Sequence, residues 1–519
     1  MVESKTTKIM GGLNAIIYYG CILAFLLIWL DLVFIDTSIP YYCQVNCGWS
    51  NKMIVLFLIP LIALLIFIIH KANLKMRKIS DRKFLMILLV SGVMLFLLQV
   101  FISYNIYFYT EWDCGTLMKA ALTIVRTGSP QNFEGVLSLY PNNRTLTAIM
   151  VLIMKAALAF GIEELYFPGI VVANAVVNIA GIFTVLSVRK LSKSVLIPWI
   201  SWICYILLVA LSPWITIPYS DAYGIVFPVL AFYFYITFKD CKLSKWMLVG
   251  LFSYLGMLIK PTTVIVLIAI LVVELIGSVS NKHQFFDLMK YCMPMLVITF
   301  LVSQLAAVGV TRILNAELNK NLEVPMTHYL MMGMNVEKTG GNSAEDINYT
   351  TSFSTLEEKK EATLQVAKQR ISEMGLSGLA QLIKKKTLVN YNDGTFAWGA
   401  EGGFYATILP KDNQTAISLR NLYYHDGKYY YTFYMVFVKI IWIFVLTSIL
   451  GLGIKKKDDI KISEMIALLS IFGLTLFLWI FEARARYLYC FLPMYIICAS
   501  VGLDNIVGRF ETKGLKKMS

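Results

Sequence analysis

Long apolar runs dominate the pattern along the chain, with little of the strict alternation that marks strands. They recur at about 13–35, 52–70, 84–109, 165–188, 194–213, 222–238, 245–259, 261–278, 291–312, 431–453, 462–481 and 487–506. A helix of about 20 residues crosses the roughly 30 Å of bilayer hydrocarbon, so each run reads as a span. In lipid only helices and closed barrels satisfy their backbone polar groups, and these runs lack a barrel's alternation. The pattern predicts an all-α polytopic membrane protein of about 12 transmembrane helices. The first run is too long for a secretory signal and lacks a small-residue cleavage site, so it is expected to remain as an anchor.

Composition agrees: 58% of the 519 residues are hydrophobic and 15% charged. The formal charge of +14 would fit nucleic acid, but its distribution excludes that. Lysines and arginines gather in short links between runs, at Lys71–Lys83, Arg189–Lys193, Lys239–Lys245, Lys455–Lys461 and Lys513–Lys517. Such clusters mark the cytoplasmic face. With both termini inside, every basic link falls on that side, provided the apolar run 145–161 does not cross. It is therefore expected to lie on or dip into the outer face. The chain then divides into an N-terminal transmembrane region, 1–312, with an external loop at 110–164; an extracellular segment, 313–430; and a C-terminal transmembrane region, 431–519. In the extracellular segment a helix is expected from Ser354, with Glu357 completing a capping box, to near Gly375. A turn follows at Asn390–Gly394. Cys114–Gly128 puts Leu117, Ala120, Ala121, Ile124 and Val125 on one face, as an amphipathic helix on the outer surface does.

Candidate chemistry collects on the outer side. Glu111 and Asp113 follow the third span. Asp113 heads the amphipathic helix, where it can cap a backbone N–H near Thr116 and also serve as a partly desolvated general base. Tyr219-Ser220-Asp221 brings a second acid to a very short external link. Lys260, at a turn broken by Pro261, and Arg484 and Arg486, in FEARARYL, stand on the face where short links otherwise lack positive charge. Glu482 is one nearby acid for three cations, so the surplus points to an anion, and a phosphate at the lipid–water boundary suits arginine's fork. His328 lies just beyond the ninth span. Asn143, Asn348 and Asn413 begin Asn-X-Thr triplets. Cys43 and Cys47 share an external loop where either a disulfide or free thiols would fit. No metal-type Cys or His spacing occurs.

The order of these features, with LYPNN after the amphipathic segment, resembles the GT-C superfamily of membrane glycosyltransferases. The likeness is to bacterial relatives of the protein-O-mannosyltransferase and lipid A aminoarabinose transferase type, and covers about 84–310 and 431–506. THYLMMGMN, NSAEDINY and NDGTFAWG are similar to a branch found in Gram-positive bacteria. The resemblance implies transfer of one sugar from a polyprenyl-phosphate donor to an envelope acceptor, a polysaccharide or teichoic acid, on the outer face, with inversion. It implies Asp113 as general base, with Glu111 the alternative because Trp112 separates acids that are adjacent in the mannosyltransferases. Asp221 would orient the acceptor or a metal, Mg²⁺ or Mn²⁺. Lys260, Arg484 and Arg486 would hold the leaving phosphate, and Glu482, Tyr219 and His328 would border the substrate. Three rival readings stand beside it: a polysaccharide polymerase or ligase using lipid-linked glycans, a secondary transporter, and a nonenzymatic scaffold for envelope assembly.

Overall fold

The computed structural model describes residues 2–35, 49–76, 78–238, 241–278, 282–409 and 413–515. Cys43 and Cys47 lie outside them. The architecture is all-α and polytopic. Among the described residues ten helices are long and apolar enough to cross a membrane. The other two expected spans appear as the shorter helix Ile197–Tyr205, which loosens into a π-helical turn at Ile206–Ala210, and as helix Leu492–Leu515. Charges in the last turns of the latter dilute its apolar stretch. Its first half is the most enclosed part of the bundle, with Leu492, Met494, Tyr495 and Ile497 fully buried. Helices Phe167–Leu191, Ile197–Tyr205, Met435–Ile449 and Ile462–Ile480 surround it. Helices Asn51–Lys75 and Lys282–Leu314 lie at the periphery, their apolar side chains largely exposed, as lipid-facing helices require.

Lipid gives helices no hydrophobic reason to associate, so polar links matter inside the bundle. Asn174 donates to Ser103 Oγ at 2.9 Å, Asn178 to the Gly92 carbonyl at 2.9 Å and Gln99 to the Ala210 carbonyl at 3.0 Å. These bonds tie helix Asp81–Ile106 to its two neighbours.

Contacts at the helix ends sort the loops into two sets. Tyr104 and Tyr107, ending helix Asp81–Ile106, pack their rings 5.5 and 5.1 Å from Phe167, which opens helix Phe167–Leu191. At the other ends of the same two helices, Arg189 meets Asp81 at 3.1 Å. The chain between Tyr107 and Phe167 therefore leaves and re-enters at one end of the bundle, and helix Arg144–Ala159 within it does not cross. That helix has 16 residues, about 24 Å of rise. It packs on helix Asp113–Thr127, which buries Leu117, Ala120, Ala121 and Ile124. The basic links gather at the opposite end, where Lys78 bonds the Ser192 carbonyl and Lys455 pairs with Glu464.

Two details differ from the sequence reading. The capping box is Thr355 with Glu358, one residue later than Ser354 with Glu357; both pairs fit the same spacing, and the backbone selects the second. The helix also does not end at Gly375. It breaks there, with φ 58° and ψ −172°, and resumes through Lys386 to Tyr391. Segment 313–430 is bonded into the bundle at this second half: Lys386 Nζ donates to the Gly333, Trp479 and Phe481 carbonyls, and Tyr391 meets Tyr495 and Thr475 at 2.6 Å.

Candidate functional site

At the bundle end away from the basic links lies a cavity of about 520 Å³, inside the ~300–1,000 Å³ range of small-ligand sites. Asp113, Tyr219, Lys260, His328, Glu482, Arg484 and Arg486 all line it. Asp221 joins them through its pairing with Lys260 and Arg486, while Glu111 does not line the cavity. Side chains distant in sequence thus meet at one place.

Helix Asp113–Thr127 fixes the first acid. Trp112 is its N-cap and makes no side-chain cap bond, so Asp113 is the first helical residue and not the cap expected. The N–H of Thr116 is taken by the Trp112 carbonyl instead, which leaves the Asp113 carboxylate for the cavity. Gly115 seats the helix start: a Cβ there would lie 1.6 Å from the Thr110 carbonyl oxygen. The Tyr219 hydroxyl donates to Asp113 at a long 3.5 Å and lies 3.3 Å from Asn143 Oδ1. Asn143 is buried, so this triplet's amide is part of the site wall. Asp113 opens onto the cavity but is enclosed by protein on its other sides. That enclosure raises its carboxyl pKa above the ordinary aspartate range, against the pull of Arg486 and Arg484.

The second wall is a chain of buried ions. Lys260 Nζ bonds Asp221 and lies 4.5 Å from the Tyr487 ring centre. Arg486 Nε lies 3.5 Å from both Asp221 Oδ2 and Glu401 Oε1. Arg484 reaches Glu401 Oε1 at 3.4 Å and Glu482 Oε1 at 3.1 Å, and Glu482 accepts from the Tyr487 hydroxyl at 2.7 Å. The Arg486 guanidinium is also flanked by Trp112 and Tyr219, 4.5 and 5.2 Å from the ring centres.

This arrangement corrects the sequence expectation of three cations sharing one acid. Asp221, Glu401 and Glu482 balance Lys260, Arg484 and Arg486 charge for charge. Asp221 is engaged in ion pairs with Lys260 and Arg486, while its Oδ2 accepts no hydrogen bond among the described residues. Among the described residues no cluster of three or more His, Cys, Asp or Glu side chains has metal-holding geometry. Asp113 is the cavity acid outside the pairs.

Glu401 escaped the sequence reading because its pairing partners are more than 80 residues away and no local spacing marks it. The loop before it carries the signal that was available, NDGTFAW. Asp393 accepts from the N–H groups of Thr395 and Ala397, at 2.8 and 2.7 Å, and from the Thr395 hydroxyl. Trp214 Nε1 donates to the Thr395 carbonyl at 3.0 Å. Phe396 and Ala397 both take positive φ, 57° and 58°, so this buried turn is strained and held by its bonds.

His328 borders the cavity from helix Met326–Gly333, its Nδ1 2.6 Å from Thr350 Oγ1. Burial lowers its pKa to about 4, so near neutrality the ring is an uncharged hydrogen-bonding group.

No curated protein and no solved structure matches the chain. A protein family does, over residues 8–507, and the chain belongs to it: the family described as conserved hypothetical integral membrane protein.

Proposed function

We propose that the cavity is the active site of a membrane glycosyltransferase of the GT-C kind. It moves one sugar from a polyprenyl-phosphate donor to a hydroxyl of an envelope glycan on the outer face. One observation carries this reading: a carboxylate outside any ion pair, Asp113, shares a cavity with three buried cations. In the reaction Asp113 takes the proton of the acceptor hydroxyl as its oxygen attacks the anomeric carbon. The bond from that carbon to the phosphate oxygen breaks, and its electron pair leaves with the polyprenyl phosphate. Attack from the face opposite the leaving group inverts the centre. Arg486 carries the most direct support for a phosphate contact. It is 2% exposed, and its Nε and one terminal nitrogen lack hydrogen-bond partners among the described residues. Cations aimed at charge that develops on the leaving group lower the barrier. Tyr140, Asn142, Tyr329 and His328 line the remaining wall with neutral hydrogen-bonding groups suited to sugar hydroxyls.

The test is transfer of labelled sugar from a polyprenyl-phosphate donor in membranes, comparing wild type with Asp113→Asn at matched expression. Loss of the base should lower turnover by about 10²–10⁴-fold with donor binding kept. Near-normal transfer by the variant would remove Asp113 from the mechanism.

A further inference from the structure

Glu401 stands where an incoming phosphate would have to go. Its Oε1 lies 3.4 Å from an Arg484 terminal nitrogen and 3.5 Å from Arg486 Nε, so a single carboxylate oxygen spans both arginines. Charge-assisted bonds to a carboxylate or phosphate normally close to about 2.7–2.9 Å. The pairing is thus electrostatic without being tightly bonded, and Arg486 still has two unsatisfied nitrogens. Carboxylate and phosphate ester present the same acceptor to a guanidinium, the phosphate with more oxygens.

The backbone around Glu401 is a glycine-flanked turn, closed by the Ala400 N–H on the Ala397 carbonyl and the Phe404 N–H on the Glu401 carbonyl, so that it is the side chain that can leave the arginines. Gly399 and Gly403 flank it at φ 76° and 66°, a region glycine enters without penalty, and a Cβ on Gly402 would meet open space. Just beyond these glycines the chain is anchored. Trp398 Nε1 donates to the Tyr423 carbonyl at 2.8 Å, and the Gly403 carbonyl accepts from Glu111 N–H at 3.0 Å. Phe108 and Tyr109 pair with Ile408 and Thr407 in a short antiparallel ladder. A three-residue tip between fixed ends therefore carries the acid.

We propose that Glu401 is a built-in competitor, an internal anion that holds the position between Arg484 and Arg486 until a phosphate monoester or diester displaces it. This rests on the reading that the two arginines receive the donor phosphate, and adds to it a threshold. The arginines stay charge-balanced before donor arrives, and only a ligand that outcompetes a tethered carboxylate opens the site.

Farnesyl phosphate binding to the purified full chain in nanodiscs separates the possibilities, with inorganic phosphate as a second arm. Glu401→Gln keeps the side-chain shape and removes the charge. It should bind farnesyl phosphate about tenfold more tightly, the factor imposed by a competitor in place about nine-tenths of the time. Inorganic phosphate should gain by the same factor if the headgroup alone does the displacing. Wild-type binding with equal or weaker binding by Glu401→Gln would overturn the competitor and make Glu401 a plain structural partner of the arginines. Absence of binding by both proteins would overturn the anion site itself, and the proposed function with it. Gly402→Cys gives a reading that does not depend on changing the acid: farnesyl phosphate should alter its maleimide labelling rate severalfold, and an unchanged rate counts against displacement.

Discussion

As the proposed base, Asp113 must be ionised to accept a proton, and the protein packed around it raises the pH at which it ionises. Transfer should therefore fall as pH drops through a limb placed above the ordinary aspartate range, and hold on the alkaline side. A pH profile of kcat/KM with that acid limb, shifted when Asp113→Glu changes the depth of the carboxyl, would assign the limb to this residue. A limb unmoved by the change belongs to another group. Residues such as Asp113, Asp221, Lys260, Arg484 and Arg486 were legible in the sequence because a charge at the edge of an apolar run is conspicuous wherever the chain later folds. Their pairing was not legible. Asp221 read as a second acid of the site and is held by Lys260 and Arg486, while Glu401, the acid that completes the balance, sits in a polar segment where one more glutamate carries no signal.

Elements were easier to read than their ends. Helix Asp113–Thr127 follows from its apolar face, yet which residue caps it depends on whether the chain before it can reach the first N–H groups, and Thr110 decides that through Gly115. The same holds at Gly375, where a glycine that reads as a stop is a break between two helical halves. The packing of Gly115 on the Thr110 carbonyl makes a sharp prediction. Gly115→Ala places a methyl group where there is no room, so the helix start must shift and carry Asp113 with it. Overpacking of this kind costs about 1–3 kcal/mol, and a displacement near 1 Å at a reacting group costs about 10²-fold in rate. A modest fall in thermal stability with a much larger fall in transfer is the expected pairing. Equal, small effects on both would mean that the position of the helix start is not critical.

At the scale of the whole molecule the structure makes the two ends of the bundle unlike, and charge gives each a side. Helices Asp81–Ile106 and Phe167–Leu191 meet at Tyr107 and Phe167 on the cavity end and at Asp81 and Arg189 on the other, so the intervening chain cannot change sides. The positive-inside rule would keep the lysines and arginines at the second end in the cytoplasm, and on that ground we propose that the cavity faces outside. Impermeant maleimide on intact cells should then label Lys320→Cys, on an exposed turn near the cavity end, and leave Lys193→Cys untouched until the membrane is opened. Cys43 and Cys47 are replaced by Ser in both variants to clear the predicted external thiols. The reverse pattern would put the cavity in the cytoplasm, facing nucleotide sugars instead of envelope acceptors, and the transferase reading would need a different donor. Labelling of both positions from outside would mean an even number of crossings between Lys193 and Lys320. Five helices lie between them, the short Ile197–Ala210 and the longer Ser220–Thr237, Lys242–Ile259, Pro261–Ser278 and Phe285–Leu314, so that result would demand that one of them fail to cross. Helix Phe285–Leu314 is the least buried of the four long ones, yet it is also strongly apolar, which in a bilayer favours crossing. The four long helices alone would leave both positions on one side; the fifth crossing, at Ile197–Ala210, supplies the odd count that the expected inside–outside pair requires. That helix is short, about 21 Å for 14 residues, but it starts beside Ser192 and Ser194 at the basic end and hands the chain through Trp214 to Asp221 in the cavity wall. The labelling result thus tests whether a helix shorter than the bilayer is thick completes the crossing by means of the buried turn Pro213–Thr216 that follows it.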